Sequence, residues 1–253
     1  EPQVRGVISA TRGNHGQSIA FAAKRHGLTA TIVVPHGNSV EKNAAMRALG
    51  AELIEHGDDF QASREHAAAL ASRRELHFVP SFHRDLVLGV ATYWVEFFGA
   101  VQPDVVFVPI GMGSGISACA MARGVTGAAT RIVGVVSAQA TAYLDSFRAG
   151  RVIEAPVTTQ LADGMACRVA DPEALQVMLG QIDHIVQVTD AEVAQAMRDI
   201  FACTHNVAEG AGAASFAAAW QERESIKGKV VGTTLCGGNV DSATFAKVLT
   251  KAN

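Results

Sequence analysis

The fold is decided by the stretch from Gly6 to Ala22, GVISATRGNHGQSIAFA. Val7 and Ile8 predict a short buried strand, and the residues from Ser18 onward have the apolar spacing of a helix. Between them, residues 9–17 form a polar turn with two glycines and with hydroxyl, amide and imidazole side chains. Such a junction presents unpaired backbone N–H groups at the positive end of a helix dipole, which favours an anion. Because the pattern GxGxxG is absent, a carboxylate or a ring oxygen suits this polar turn better than a diphosphate. A connecting turn with a helix cap is the alternative.

The composition predicts a compact globular protein with nearly balanced charge. Hydrophobic residues are 49% of the 253 residues and charged residues 18%, which is enough apolar material for the core of one large or two moderate domains. The net charge of -3 and the pI near 6.3 give no electrostatic reason to expect nucleic acid or an anionic membrane as a partner. No apolar run reaches the length of a bilayer span, and no signal-peptide pattern opens the sequence.

The cysteines are scattered along the chain without CxxC spacing. This spacing disfavours a zinc site and favours free thiols in a reducing compartment, so we expect a cytoplasmic protein. The four are Cys119, Cys167, Cys203 and Cys236.

Strand and helix patterns alternate along the chain, which predicts an α/β fold of parallel strands joined by right-handed crossovers. The order favours two open, mostly parallel sheets flanked by helices, with a small domain over residues 3–83 and a large domain over residues 84–253. After the first strand, the predicted strands are Thr29–Val34, Ala51–Glu55, His77–Val79, Val105–Ile110, Ile132–Val136, Ile185–Val188 and Val230–Leu235. In open sheets of this kind, ligands bind at the turns that follow the strands.

A glycine turn, residues 111–115, reads Gly-Met-Gly-Ser-Gly between a predicted buried strand and a helix. Small residues there let backbone N–H groups approach a phosphate closely. The turn lacks the Lys-Ser or Lys-Thr pair of a nucleotide triphosphatase loop, so one terminal phosphate is the better match. A tight strand-to-helix junction is the alternative.

Two further turns carry one reactive side chain each. Cys236 follows the last predicted strand and precedes two glycines, so its thiol is placed to approach a heteroaromatic ring nitrogen; a buried structural cysteine is the alternative. Glu209 precedes the small residues 210–213, which admit a ligand or a closely packed helix. A glutamate stabilised by a helix dipole is the alternative at that position.

Together these turns describe a site for an aromatic ring with one phosphate and one acidic oxygen, a combination found in pyridoxal phosphate. The chain resembles the threonine/serine dehydratase group of fold-type II pyridoxal-phosphate enzymes. Five motifs in family order carry the resemblance: Gly13-Asn14-His15-Gly16-Gln17, the glycine turn, Ala162-Asp163-Gly164-Met165-Ala166, Glu209-Gly210-Ala211-Gly212 and Cys236-Gly237-Gly238-Asn239.

The resemblance implies a role for several residues. Asn14 is expected to hydrogen-bond the ring oxygen of the cofactor, and Cys236 to lie beside the pyridine nitrogen. The expected phosphate contacts are Gly111, Gly113, Ser114 and Gly115, although Met112 and Ser114 depart from the family's nearly all-glycine loop. The expected substrate-binding residues are Thr11, Arg12, Gly13 and His15, and further candidate site residues are Asp163, Gly164 and Glu209. Arg12 departs from the usual small residue and either adds a carboxylate contact or points to solvent.

The implied reaction is β-elimination from L-threonine or L-serine, which yields a 2-oxo acid and ammonia. A thiol beside the ring nitrogen, unlike a carboxylate, does not hold that nitrogen protonated, and this favours elimination. Racemisation of an amino acid and dehydration of 3-hydroxyaspartate are alternatives on the same fold. A further alternative is a non-catalytic relative that lacks the family's Schiff-base lysine and only binds the cofactor or an amino acid.

The family's Schiff-base lysine has no counterpart here, because no lysine of this chain stands in a Ser-Phe-Lys-x-Arg-Gly-like setting. We therefore expect no catalytic residue within these 253 residues and an N-terminal segment, absent from this sequence, that carries the lysine. No metal site is expected after Ile132–Val136, because no carboxylate follows that strand before Asp145. Allosteric control through a C-terminal domain is not expected, and the resemblance implies a homodimer.

Overall fold

The computed structural model describes residues 4–250, which form two compact units. Of the described residues, the first unit contains residues 4–81 and the segment Asn239–Lys247, and the second contains Phe82–Gly238 and residues 248–250. Within the described residues the strands are β1 (Gly6–Ala10), β2 (Thr29–Val34), β3 (Glu52–Glu55), β4 (His77–Phe78), β5 (Val105–Pro109), β6 (Arg131–Ser137), β7 (His184–Val188) and β8 (Val231–Thr233). The helices are α1 (Asn14–Arg25), α2 (Val40–Ala48), α3 (Phe60–Arg74), α4 (Arg84–Ala100), α5 (Ser114–Thr126), α6 (Ala142–Ala149), α7 (Pro172–Gln181), α8 (Asp190–Thr204), α9 (Gly210–Gln221) and α10 (Ser242–Thr250), with a 3₁₀ turn at Asp163–Met165.

The first unit is built on a parallel sheet of order β3-β2-β1-β4. β1 is an inner strand, since Ile8 pairs with Thr31 of β2 on one side and with Phe78 of β4 on the other. Ile32 is fully buried and packs with residues of α1 and α2, whereas Ile8 packs with residues of α3. Helices therefore cover both faces of the sheet, and the turns at its carboxyl edge remain for binding.

The second unit is built on a parallel sheet of order β7-β6-β5-β8. Its core contains Trp94 of α4, Ile116 of α5 and Ile132 of β6, all fully buried. Phe107 of β5 is paired with Thr233 at the end of β8. Because the two strands are parallel neighbours, the glycine turn after β5 and the chain after β8 leave the sheet at the same edge.

The predicted fold class is confirmed, because both sheets are parallel and flanked by helices. β8 is shorter than the predicted strand Val230–Leu235: it ends at Thr233, and the carbonyl of Thr234 accepts a hydrogen bond from the Ser215 hydroxyl at 2.7 Å. A side chain of α9 thus bonds the carbonyl that follows the last residue of the strand. No helix among residues 4–250 combines the length and the apolar character needed to cross a membrane.

Candidate active site

The polar turn joins β1 to α1 and is organised by Thr11. The buried Thr11 hydroxyl accepts hydrogen bonds from the backbone N–H groups of Gly13, at 2.9 Å, and Gly16, at 3.4 Å. A β-carbon at Gly13 would lie 2.4 Å from Cδ of Lys42, so the buried lysine stem leaves room only for glycine. Gly13 is also the N-cap residue of α1, and the first turn of that helix contains no acidic side chain. The positive end of the α1 dipole is therefore suited to an anion.

Three side chains of the polar turn have a buried polar atom with no hydrogen-bond partner among residues 4–250. These atoms are Nε of Arg12, Nε2 of His15 and Nε2 of Gln17. Leaving a buried donor or acceptor unpaired costs about 1–3 kcal/mol, and three such atoms within six residues are unusual outside a binding site. Two of these atoms belong to the predicted site residues Arg12 and His15, and the third belongs to Gln17, which was not predicted as a site residue. Of the two alternatives for Arg12, the buried Nε favours a contact over a side chain that points to solvent.

His15 is an uncharged group in the folded protein near neutral pH. Burial lowers the pKa of its imidazole, and the hydrogen bond with the Pro80 backbone opposes only part of that effect. Proline has no N–H, so the Pro80 carbonyl is the acceptor and Nδ1 of His15 carries the proton. In the neutral ring, Nε2 then presents a lone pair to a ligand.

The glycine turn is held from below by two buried aromatic side chains. The Tyr143 hydroxyl donates to the carbonyl of Met112 at 2.7 Å, and Nε1 of Trp94 donates to the carbonyl of Gly115 at 3.1 Å. The same hydroxyl accepts from the backbone N–H of Asp171 at 3.0 Å. Tyr143 and Trp94 thus bond two carbonyls of this turn, and no side chain caps α5. The N–H groups of the first helical turn are therefore available to bind an anion.

Two glycines of this turn are fixed by sterics. Gly113 is in the left-handed region at φ 95°, and a β-carbon there would lie 2.6 Å from Cβ of Ala174. A β-carbon at Gly111 would lie 2.4 Å from the carbonyl oxygen of Gly164. At Gly115, in contrast, nothing would lie within 4 Å of an added β-carbon. Gly115 follows Ser114, the first residue of α5, so small residues form the N-terminus of this helix.

The other motifs of the second unit also touch through their backbones. A β-carbon at Gly210 would lie 2.2 Å from the carbonyl oxygen of Leu161, and one at Gly212 would lie 2.3 Å from that of Gly237. A β-carbon at Gly164 would lie 3.0 Å from Cβ of Ala211. The glycine turn, the Asp163–Gly164 segment, the start of α9 and the chain after β8 are therefore one packed cluster, which the sequence motifs did not reveal individually.

Cys236 and Glu209 lie in this cluster and influence each other. Although part of Cys236 reaches solvent, desolvation by the surrounding protein and the negative charge of Glu209 raise the pKa of its thiol to about 12. Glu209 is buried, at 3% exposure, and is the N-cap residue of α9. Cys236 is thus a neutral thiol at neutral pH.

Asp190 is a residue whose role the sequence did not reveal. It begins α8, and its carboxylate accepts from the Thr159 hydroxyl at 2.7 Å and from the backbone N–H groups of Gln160, at 2.9 Å, and Leu161, at 3.3 Å. These bonds fix the loop whose Leu161 carbonyl lies against Gly210. Asp163, half-buried, follows this loop at the start of the 3₁₀ turn, beside exposed Gly164.

Within residues 4–250 there is no group of three or more His, Cys, Asp or Glu side chains arranged to hold a metal ion. After β6, the Ser137 hydroxyl bonds the side chain of Gln139 at 3.2 Å. The lack of a metal site after this strand stays a prediction.

Comparison with known sequences identifies the family. A family model described as pyridoxal-phosphate dependent enzyme matches residues 1–237. An L-threonine ammonia-lyase of Geobacter sulfurreducens is 34% identical over 98% of this chain, and an L-threo-3-hydroxyaspartate ammonia-lyase of Saccharomyces cerevisiae is 30% identical over 98%. The chain spans 62% of the first relative's length, 77% of the second's, and 42% of a Nicotiana attenuata threonine dehydratase.

Solved structures give the same result. The processed form of threonine deaminase isoform 2 from Solanum lycopersicum superposes with a TM-score of 0.89 at 28% identity, over 98% of this chain and 74% of that one. A pyridoxal 5'-phosphate-dependent aspartate racemase superposes with a TM-score of 0.89 at 27% identity, over 97% and 77%. The family match over residues 1–237 and the shared fold show that this chain belongs to the pyridoxal-phosphate-dependent enzymes, with its similarity to the threonine/serine dehydratase group among them.

Proposed function

We propose that this chain supplies the cofactor- and substrate-binding residues of a dehydratase that converts L-threonine, L-serine or both into a 2-oxo acid and ammonia. The relatives named threonine ammonia-lyase and threonine dehydratase support this activity. The observation that carries the proposal is the neutral thiol of Cys236 in the same packed cluster as the glycine turn. Pyridoxal phosphate, when bound, supplies the electron withdrawal that acidifies the α-proton of an amino acid.

The second unit fits the phosphate of this cofactor. Gly111, Gly113, Ser114 and Gly115 are the residues that would hold it, and their backbone N–H groups are the donors. Two observations support this fit. A β-carbon at Gly115 would have no atom within 4 Å, and no side chain caps α5. The carbonyls that would repel an anion are already bonded by Tyr143 and Trp94.

Cys236 also fits the proposed place beside a pyridine nitrogen. A thiol whose pKa is about 12 carries no negative charge at neutral pH, so it does not stabilise a proton on the ring. Glu209, buried nearby, keeps the thiol proton in place through its charge. A neutral thiol at this position would limit electron withdrawal by the ring, and it would therefore favour rapid loss of a β-substituent over a long-lived carbanion.

The polar turn fits a carboxylate and a ring oxygen. The N-terminus of α1 offers the backbone N–H groups of Asn14 and His15, and Thr11 orders the turn from below through Gly13 and Gly16. We propose that these donors hold the substrate carboxylate and that the Asn14 amide contacts the ring oxygen. His15, being neutral, orients the substrate without adding charge.

The amine that binds the cofactor is proposed to lie outside these residues. Of the five lysines that the structure describes, Lys24, Lys227, Lys229 and Lys247 are exposed, and Lys42 is buried with its stem against Gly13. Because Lys42 lies near the polar turn, it is the lysine that must be tested and excluded as the amine that binds the cofactor. Borohydride reduction with pyridoxal phosphate, followed by peptide mass spectrometry, is expected to leave Lys42 unmodified.

The activity is tested by expressing the chain together with its upstream coding region and measuring 2-oxo acid and ammonia from L-threonine and L-serine. We expect turnover from the longer protein and none from the 253 residues alone. In the longer protein, Cys236→Ser should retain elimination and Cys236→Asp should lose at least about tenfold, because a carboxylate would protonate the ring nitrogen. Ammonia release by the 253-residue chain alone would refute the lysine assignment.

A second candidate substrate is 3-hydroxyaspartate, on which the yeast relative is named. The observation that favours it is the guanidinium of Arg12, whose buried Nε has no hydrogen-bond partner among residues 4–250. A guanidinium pairs well with a second carboxylate. Comparing kcat/KM for L-serine and L-threo-3-hydroxyaspartate separates the two candidates, and chiral analysis of the remaining amino acid detects racemisation.

We also propose a homodimer in a reducing, cytoplasmic compartment. None of the four cysteines forms a disulfide within residues 4–250, which is consistent with that compartment. The dimer rests on the resemblance alone, and light scattering of the purified protein measures it directly.

A further inference from the structure

The segment that follows Gly238 belongs to the first unit. Asn239–Lys247 groups with residues up to Ser81, although about 160 residues of the second unit lie between them in sequence. The start of α10 is held there by a pair of exchanged helix caps. Asn239, two residues before the first of these caps, has no role in the function proposed above.

The exchanged caps join the N-termini of α2 and α10. The Asp241 carboxylate accepts from the Ser39 hydroxyl and from the backbone N–H of Glu41 at 3.3 Å, at the start of α2. The Glu41 carboxylate in turn accepts from the backbone N–H of Ser242 at 2.8 Å, at the start of α10. Each carboxylate thus lies at the positive end of the other helix, which is where a negative charge stabilises.

These caps place Asn239 against the polar turn. Its Nδ2 donates to Oδ1 of Asn14 at 2.8 Å. A carboxamide has an acceptor at one end and a donor at the other. Because Oδ1 of Asn14 is bonded to Asn239, the Nδ2 end is directed away from Asn239.

We propose that Asn239 is a positioning residue that sets the orientation of the Asn14 amide, so that Asn14 presents an N–H donor to an anionic ring oxygen. This inference rests on the proposed function, in which Asn14 contacts the 3-oxygen of the pyridine ring. A donor there stabilises the deprotonated oxygen, whereas the reversed amide would place its carbonyl oxygen against that negative charge. Asn239 acts only through Asn14.

The test uses the complete chain and two probes that need no lysine: pyridoxine 5'-phosphate and its 3-deoxy analogue. Asn239→Asp replaces the donor with an acceptor and reverses the Asn14 amide. We expect pyridoxine phosphate to bind about tenfold more weakly, as for the loss of one charge-assisted hydrogen bond, and the 3-deoxy analogue less than about twofold more weakly. Asn239→Ala, which removes the donor without adding a charge, should give an intermediate loss.

The matched control is Gln102→Glu, which makes the same amide-to-carboxylate change at an exposed position before β5. It should bind both probes like the wild type. Equal losses for the two probes in Asn239→Asp, or no loss for either, would overturn the assignment of Asn239. If the wild type binds neither probe, the proposed function itself fails.

A ligand-free measurement tests the positioning role independently. With asparagine labelled by ¹⁵N, Asn239→Asp should move the side-chain N–H signals of Asn14 downfield and slow their exchange, because they now donate to a carboxylate. Asn239→Ser, which keeps a donor, should leave these signals close to the wild type. Asn14 signals that do not respond to Asn239→Asp would refute the inference even if binding changed.

Discussion

The polar turn and the glycine turn occupy equivalent places in their units but recognise ligands by different means. Each follows an inner strand of a four-stranded parallel sheet and leads into a helix whose N-cap residue is glycine. In the polar turn, side chains carry the buried polar atoms that lack partners among residues 4–250. In the glycine turn, buried Tyr143 and Trp94 bond the carbonyls, so the backbone N–H groups are left to bind.

This difference separates two kinds of sensitivity. A site made of backbone N–H groups is destroyed by an added β-carbon and is indifferent to charge. In a site made of side chains, the substitution of a binding side chain changes which ligand is preferred. The predictions below test this contrast, starting with the change expected to have the largest effect.

The largest effect is expected for Gly113→Ala. The new methyl group would lie 2.6 Å from Cβ of Ala174, at a residue with φ 95°, so the free energy of unfolding should fall by about 3 kcal/mol. Urea denaturation measures it. Gly115→Ala is the matched control: nothing lies within 4 Å, so the helix should gain about 0.5–1 kcal/mol, while affinity for inorganic phosphate falls. Equal stability of Gly113→Ala and wild type would contradict the structure.

Tyr143→Phe should have the next largest effect. It removes one hydrogen bond to the Met112 carbonyl and one from the Asp171 N–H, which should lower the free energy of unfolding by about 2 kcal/mol. The rise in Tm on adding phosphate should also shrink, because the turn is no longer fixed. In a Trp220→Phe background, emission of buried Trp94 reports the turn directly, since Trp220 is the exposed one. An unchanged phosphate effect would show that Tyr143 serves only the core.

Arg12→Ala tests the side-chain recognition of the polar turn. In the longer protein, kcat/KM for 3-hydroxyaspartate should fall about tenfold relative to that for serine, through loss of one guanidinium–carboxylate pair. Arg25→Ala, at the exposed last position of α1, is the control and should not change the ratio. A ratio unaffected by Arg12→Ala would leave serine and threonine as the preferred substrates.

The smallest effect concerns the pH dependence of stability, which should have opposite signs in the two units. Burial lowers the pKa of His15, so stability falls as the pH drops below 6.5, because only the unfolded chain then takes up the proton. In the second unit, burial also disfavours the charged form of His184, but its hydrogen bonds to Glu222, at 2.7 Å, and Asp183, at 2.9 Å, outweigh this and raise its pKa. The stability from His184 is therefore full below pH 6.5 and is lost as the pH rises through the raised pKa.

Urea titrations from pH 5 to 8 check both signs. His15→Gln should reduce the fall in stability on the acidic side, and His184→Gln should reduce the fall on the alkaline side. Profiles that match the wild type in both variants would contradict these pKa directions.

Much of the fold follows from local sequence. The β-branched runs around Ile32 and Val106 and the helical spacing after each turn predicted eight parallel strands, because those patterns depend on neighbours a few residues away. The two turns and Cys236 were found from glycines and polar groups at strand ends for the same reason.

The contacts that hold the site were beyond local sequence. Tyr143 and Trp94 have the apolar surroundings of ordinary core residues, and nothing near them indicates which carbonyl they bond. Asp190 is the first residue of α8, directly after its cap Thr189, and nothing in its local sequence indicates that it holds a loop some 30 residues earlier. Asn239 is the last residue of a recognised motif, but its partner Asn14 is 225 residues away. Such pairs are chosen by tertiary packing, which no periodicity records.

The contacts between the N-termini of α2 and α10 can form only late in translation. Ser39 and Asp241 are 202 residues apart, so a ribosome adding about 5–20 residues per second needs about 10–40 seconds between them. Throughout that interval the nascent first unit has its sheet but lacks the carboxylate that caps α2 and the asparagine that bonds Asn14. The first unit is therefore the first to be synthesised in part and is completed only near the end of translation, and a chain released before Asn239 would lack its last segment.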